Sequence, residues 1–439
     1  MNSEVSKIKI KSDSEVLNVY YISTPKFKTI VTGVIFTSPL KQKFLAERAL
    51  LALMLPKTNQ RYPNEQALLT YLKDLYDMSL TGYVSKRGKT TSITFLTNII
   101  NSEFLKDKTD LFSNAITLLN DTINNPYLVD SYFDEKIITK EKKLLVDDLK
   151  RVYNNKVLYA NLKLIEHMFK DELYRLNVNG AIEAVEAITK ESLKAAYYEM
   201  LKSEASIFVI GDVNELKIKK AFKGNFSLSS SQPQDELTYL DLETKEIKEV
   251  IEVSESQKIN QSTLCLGYRV DIRYGDALYY PMIVFNGMFG RFFHSKLYQT
   301  IREEHSLAYY INSDYASRKG IVVITSGINA EDYLKVVSLI SEVLSKFEAG
   351  ELSDENFDLT KKALINSILE GNDSQIGLLQ DILMEIENPS RRMKTADKIA
   401  SIKAVTKEQV IECSKKMKLD TIFFLKGTME GVENDEEAI

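Results

Sequence analysis

The 439-residue sequence predicts an α+β chain of two like halves, each with helices packed on one face of a sheet. Three observations carry that expectation. Each half ends in a similar string, long stretches repeat apolar residues at three- and four-residue steps, and alternating or continuous apolar strands lie between them. Composition agrees with a globule: 44% of residues are hydrophobic, 27% are charged, and 17 glycines with 8 prolines are too few for a collagenous or low-complexity chain.

In chain order, NEQALLTYLKDLYDM from Asn64 has the period of an amphipathic helix, and LTGYVSKRGKTTSITF from Leu80 has the look of strands. AITKESLKAAYYEMLKSEASIFVIG from Ala187 reads as a helix and a buried strand. Thr189 stands where an N-cap hydroxyl accepts a backbone N–H, Glu191 favours the helix dipole, and Ile207 and Phe208 suit the strand. The serine-rich GNFSLSSSQPQDE, Gly224 to Glu236, is the best linker, dividing the chain into 1–223, a linker at 224–241, and 242–429.

The second half repeats this order. LAYYINSDYASRKGIVVITS from Leu307 echoes the string at Leu80, and VVITSGI from Val322 is a strand. AEDYLKVVSLISEVLSKFEAG from Ala330 is a helix closed by Gly350 at C′. AVTKEQVIECSKKMKLDTIFFLKG from Ala404 repeats the Ala187 string, with Thr406 as N-cap, Glu408 in the first turn, and Ile422 and Phe423 in the strand. The chain reads as a duplication, ending in an acidic, frayed tail at 430–439.

Charge and cysteine usage exclude several classes. Lysine and arginine number 57 against 62 acids, a net charge of −5, so no basic field gathers nucleic acid or an anionic membrane. Two cysteines, Cys265 and Cys413, form no disulfide framework, cysteine-based zinc site or iron–sulfur cluster. The charged amino terminus lacks a signal-peptide apolar run, and no stretch approaches a membrane span, so the expected location is the cytoplasm.

Three histidines, His167, His294 and His305, bound the options for histidine chemistry. His305, beside Glu303 and Glu304, reads either as a general base or as a solvated loop residue. Nothing orients His294 as the partner of a nucleophile. KLIEHMF from Lys163 looks like an H-x-x-E-H zinc helix with lysine in place of its first histidine. Glu166 and His167 alone cannot make a three-ligand site, so the string reads as an amphipathic helix carrying Met168 and Phe169 inward. No phosphate loop, G-x-S-x-G elbow or C-x-x-C pair occurs.

The segment IREEHSLAYY, preceded by SKLYQT, resembles the second-half signature of pitrilysin/insulinase-type zinc metallopeptidases, S-R-L-x-x-x-L-R-E-x-x-G-L-A-Y. Lys296, Ile301 and Ser306 replace the signature arginine, leucine and glycine, while Arg302, Glu303, Leu307, Ala308 and Tyr309 agree. The order of helices and strands extends the resemblance over nearly the whole chain. It implies two homologous α+β halves, each with helices over a mostly antiparallel sheet, arranged as a clamshell around a peptide.

The family's zinc helix, H-x-x-E-H-M-L-F-K-G-T, aligns its end with MLPKT at Met54 to Thr58. The ligand histidines then fall on Ala49 and Leu53, the general base on Ala52, and the downstream glutamate on Asp148. Ligands at i and i+4 share one helix face, and here that face offers only aliphatic carbon. The resemblance therefore implies a degenerate bacterial member that holds no metal itself.

In the family, Arg302 and Tyr309 correspond to groups that reach the substrate, the arginine on a peptide carbonyl and the tyrosine beside the developing oxyanion. The strand at Leu80 to Lys86 corresponds to the peptide-docking edge. By analogy with two-chain processing peptidases, this is the metal-free subunit of a heterodimer whose zinc-binding paralogue supplies the cofactor. A second reading is a peptide-binding or assembly scaffold, with a link to elongation factor P modification left open. A third, a self-sufficient hydrolase using His305, lacks a nucleophile or metal set.

Overall fold

The computed structural model describes residues 4–12, 15–107, 109–228, 237, 239, 245–388 and 393–428. The acidic tail and most of the 224–241 linker lie outside the described residues. The chain begins with β1 (Ser6–Ser12), β2 (Glu15–Ser23) and β3 (Thr29–Pro39), then α1 (Leu45–Met54), a 3-10 turn (Leu55–Lys57) and α2 (Glu65–Asp74). The hairpin β4 (Ser79–Arg87) and β5 (Thr90–Ile100) leads to α3 (Leu111–Asn124), the ribbon β6 (Leu128–Val129) and β7 (Tyr132–Phe133), and α4 (Glu135–Asn154), α5 (Lys156–Met168), α6 (Ile182–Glu186) and α7 (Lys190–Leu201). β8 (Glu204–Gly211) and α8 (Glu215–Phe222) complete the first half.

The second half runs through β9 (Ile251–Gln257), β10 (Ser262–Arg269), α9 (Tyr279–Asn286) and two π-helical segments, Gly287–Arg291 and Tyr298–Glu304. The hairpin β11 (Ala308–Ala316) and β12 (Ile321–Ile328) precedes α10 (Tyr333–Glu348), α11 (Asp354–Gly371), α12 (Gln375–Glu387), α13 (Thr395–Ala404), α14 (Lys407–Lys415) and β13 (Lys418–Gly427).

Local chemistry sets the boundaries as the sequence predicts. Thr189 and Thr406 each form a capping box, with Ser192 and Gln409 as the reciprocal partners. Gly350 takes φ +83° after α10, where its N–H reaches the Phe347 carbonyl and that of Glu351 the Lys346 carbonyl, the Schellman pair.

Two compact units result. One comprises Met1–Lys150, Leu176–Tyr239 and Ile368–Thr395; the other Arg151–Arg175, Leu240–Ser367 and Ala396–Ile439. The first sheet has the order β1-β2-β8-β3-β5-β4, the second β11-β12-β10-β13-β9. Each is antiparallel except for one pair, β2 with β8 and β9 with β13. The hairpins β4-β5 and β11-β12 occupy like places at one edge, so the duplication in sequence is a duplication in space.

In the first sheet both faces are apolar. Val19, Val34, Phe36, Ile207 and Val209 face the layer of α1, α3 and α7, while Tyr20, Ile22, Ile35, Phe208 and Ile210 point to the opposite side. That second face is covered by Leu378, Leu379 and Ile382 of α12, a helix from the far half of the sequence. The second unit reciprocates. Ala160 and Leu164 of α5 pack on Cys265, Phe423 and Leu425, and a side chain at Gly267 would strike Met168 Sδ at 2.8 Å. Both Met168 and Phe169 are buried, as the sequence predicts.

A polar clamp fixes the end of α5. Arg269 Nε donates to Asp420 Oδ2 (2.6 Å) and Nη2 to the Met168 carbonyl (3.0 Å), while Lys319 Nζ donates to Glu172 Oε2 (2.7 Å). Both cations lie over the Phe169 ring. Each sheet thus has its predicted helical layer and, in addition, one helix on the other face. The compact units do not follow a single cut of the sequence, because each takes in a segment from the other half.

Burying one Leu or Ile on such a face contributes about 1.5–3 kcal/mol. Residues 1–223 expressed alone are therefore expected to expose the Tyr20–Ile22–Phe208 face, bind a hydrophobic dye and aggregate; co-expression with 245–439 is expected to restore a soluble complex, measured by gel filtration.

Candidate functional site

Helix α1 carries the positions where the resemblance places a metal. Its apolar residues repeat at helical steps and seat it against β4 and β5. Ala49 and Ala52 are 2% and 1% exposed, and Leu53 packs half-buried on the same core. A methyl group added at Gly82 of β4 would run into the Ala52 carbonyl, so the last turn of α1 lies directly on that strand.

Zinc needs nitrogen, sulfur or oxygen donors, and Ala49 and Leu53 supply none. Asp148 lies on the exposed face of α4, where one carboxylate makes no site. Among the described residues no group of three or more His, Cys, Asp or Glu side chains is placed to hold a metal ion. The residues present do not fit the family's metal.

Beyond the end of α1 stands an ion pair that sequence reasoning missed. Lys57, just after α1, donates to Glu141 Oε2 (2.8 Å), and Glu141 is buried on α4, two turns before Asp148. Lys140 Nζ lies 3.8 Å from the other carboxylate oxygen and also bonds Glu65, whose pKa falls chiefly through that hydrogen bond. The only sequence signal was a glutamate in register with Leu145 and Leu149 on the buried face of α4.

Arg302 sits in the second π-helical segment, whose wider turn is a common departure at functional sites. Its side chain is 40% exposed, its guanidinium lies 4.9 Å from the Tyr298 ring centroid, and Nε is 3.9 Å from Glu303 Oε1. Ser306, standing for the signature glycine, adopts φ +53°, a left-handed conformation that explains a glycine there. Tyr309 falls where the register of β11 against β12 shifts between Ala308 and Tyr310. This bulge leaves Tyr309 61% exposed, with its hydroxyl 3.4 Å from Asn329 Oδ1, rather than filling a core.

The strand predicted from Leu80 to Lys86 lies within β4, which among the described residues pairs with β5 alone and forms an edge of the first sheet. The histidines sit on separate elements. His167 stacks on Phe423, and neighbouring Glu166 is held by Lys163 (2.8 Å). His294 Nε2 is 3.0 Å from Thr360 Oγ1, and partial burial lowers its pKa. His305 is exposed. Burial pushes both cysteine thiols up to about 12, which leaves them unreactive at neutral pH. Among the described residues no helix is long and apolar enough to cross a membrane.

Residues 187–364 match the family model described as the Peptidase M16 inactive domain. The chain is 34% identical over 423 residues to the probable inactive metalloprotease YmfF of Bacillus subtilis (strain 168), which covers 95% of this chain and 98% of that protein. It is 24% identical over 300 residues to the uncharacterized zinc protease YmfH of the same bacterium, 66% of this chain and 67% of that protein. Among solved structures, a conserved protein from Enterococcus faecalis V583 matches with a TM-score of 0.89 at 29% identity, covering 98% of this chain and all of that one.

Two outcomes follow from this geometry. Elemental analysis of the purified chain is expected to find well below one zinc per chain; stoichiometric zinc would overturn the reading of α1. Lys57→Met leaves Glu141 charged and buried, and is expected to cost toward the low end of about 3–5 kcal/mol in denaturant unfolding, since Lys140 remains close.

Proposed function

The chain belongs to the M16 metallopeptidase family, among its inactive members, and we propose that it serves as the metal-free subunit of a two-chain peptidase. The observation that carries this reading is a contrast: the zinc-motif positions Ala49, Ala52 and Leu53 hold only aliphatic carbon, while the Arg302 and Tyr309 side chains stay accessible. In this reading a zinc-binding paralogue supplies the metal and the water-activating carboxylate. That one bacterium carries both an inactive relative and a zinc-protease relative of this chain supports a paired arrangement.

Arg302 then donates to a substrate carbonyl, and the Tyr309 hydroxyl donates to the oxygen on which negative charge develops. Such a donor stabilises a transition state by about 2.7–4 kcal/mol, of use only where a second chain delivers the nucleophile. The outer edge of β4, over Leu80 to Ser85, would offer main-chain donors and acceptors to an extended peptide, which would add as a further strand.

Co-expression with a zinc-binding paralogue is expected to give a pair on gel filtration that cleaves flexible peptides, with neither chain active alone. Arg302→Ala and Tyr309→Phe are each expected to lower kcat/KM by about 10²–10³ without breaking the pair. Unchanged turnover in both variants would remove these residues from the mechanism. A stable pair that binds peptides without cleaving them would instead favour a peptide-binding scaffold, the setting in which a link to elongation factor P modification would be pursued.

A further inference from the structure

A guanidinium is a flat cation whose N–H groups lie in its plane. Seated over an aromatic ring, it is held by one face and keeps those N–H groups for an acceptor, whereas a bidentate carboxylate consumes two of them. Arg302 is in the first state. It stands four residues beyond Tyr298 in the π-helical segment, and its guanidinium carbon lies over that ring, 4.9 Å from the centre. The carboxylates beside it take little. Glu303 Oε1 is 3.9 Å from Arg302 Nε, beyond hydrogen-bond distance, and Glu304 Oε1 is 3.8 Å from Lys296 Nζ.

Tyr298 is itself braced. Phe293 meets it edge-on, with ring centres 5.3 Å apart and planes at 77°. Gln299 Nε2 donates to the Phe293 carbonyl at 3.0 Å, which ties residue 293 to the π-helical segment. The next residue is tied to α11: Asn356 Nδ2 donates to the His294 carbonyl at 3.0 Å, and His294 Nε2 lies 3.0 Å from Thr360 Oγ1. The Phe293 side chain is 76% exposed, yet its backbone is fixed on both sides, so the three side chains Phe293, Tyr298 and Arg302 form a supported ladder.

An arginine on an unsupported stem gives up rotamer freedom when it binds, and that loss weakens the contact. One already seated on a ring has given it up beforehand. Resting on the peptidase reading of Arg302, we propose that Tyr298 is its positioning residue. The ring holds the guanidinium by one face, so that the in-plane N–H groups are left to meet a peptide carbonyl, and Phe293 keeps the ring in place.

The stack is read first in the full chain alone, by nuclear magnetic resonance of arginine-labelled protein. The Tyr298 ring current is expected to move the Arg302 δ-methylene protons upfield, the signal being assigned by its loss in Arg302→Lys. Tyr298→Leu is expected to abolish that shift and Tyr298→Phe to keep it. The contribution is then read in the two-chain complex. Tyr298→Leu is expected to lower kcat/KM about two- to fivefold, the size of a cation–π contact at a partly exposed site. Tyr298→Phe is expected to recover most of that loss, and in an Arg302→Ala background Tyr298→Leu is expected to change nothing further. Arg302 signals alike in wild type and Tyr298→Leu overturn the positioning role. So does a kcat/KM that Arg302→Ala lowers and Tyr298→Leu does not, or a further loss in the Arg302→Ala background; in these cases the peptidase reading stands. Turnover unchanged by Arg302→Ala, or absent from the complex, overturns that reading and the positioning role with it.

Discussion

Each sheet of this protein has two apolar faces, and the helices nearest in sequence cover only one of them. The remaining face must be closed, because an open row of Ile, Val and Phe would be a large exposed apolar patch. The solution is reciprocal: α12 closes the first sheet and α5 the second. Gly267 keeps a space that Met168 fills, and Arg269 with Lys319 anchors the chain just beyond. The unit boundaries follow from that closure, since each unit takes in the helix that covers its sheet.

The emptied metal position is better described as absorbed into the core than as damaged. Ala49 and Ala52 have become packing residues, and β4 lies close enough on α1 that Gly82 has no room for a side chain. Next to it, Lys57 and Glu141 turn two charges inward upon each other. Restoring histidines at 49 and 53 would thus have to displace a settled hydrophobic contact as well as supply ligands.

Much of this was legible in the residues. Thr189 and Thr406 are caps because their hydroxyls precede a helical period, and Gly350 is a C′ glycine because a left-handed residue must close α10. Those are local rules, and local rules survive folding. The period of KLIEHMF likewise shows which side of α5 is buried, yet a period names a face and never the surface it meets. The exchange of α5 and α12 was therefore invisible. So was the pairing of Lys57 with Glu141, which lie 84 positions apart. The bulge that turns out Tyr309 depends on two strands meeting out of register, which neither strand encodes alone.

Because each unit borrows a helix from the other half of the sequence, the halves are bound to a common ancestry. A recombination event joining the amino-terminal half of one relative to the carboxy-terminal half of another would set a foreign α12 on the native first sheet and a foreign sheet beneath the native α5. Both seams would have to fit at once. Duplicated chains wired in this way change by matched substitution across the two halves, and resist the exchange of whole modules.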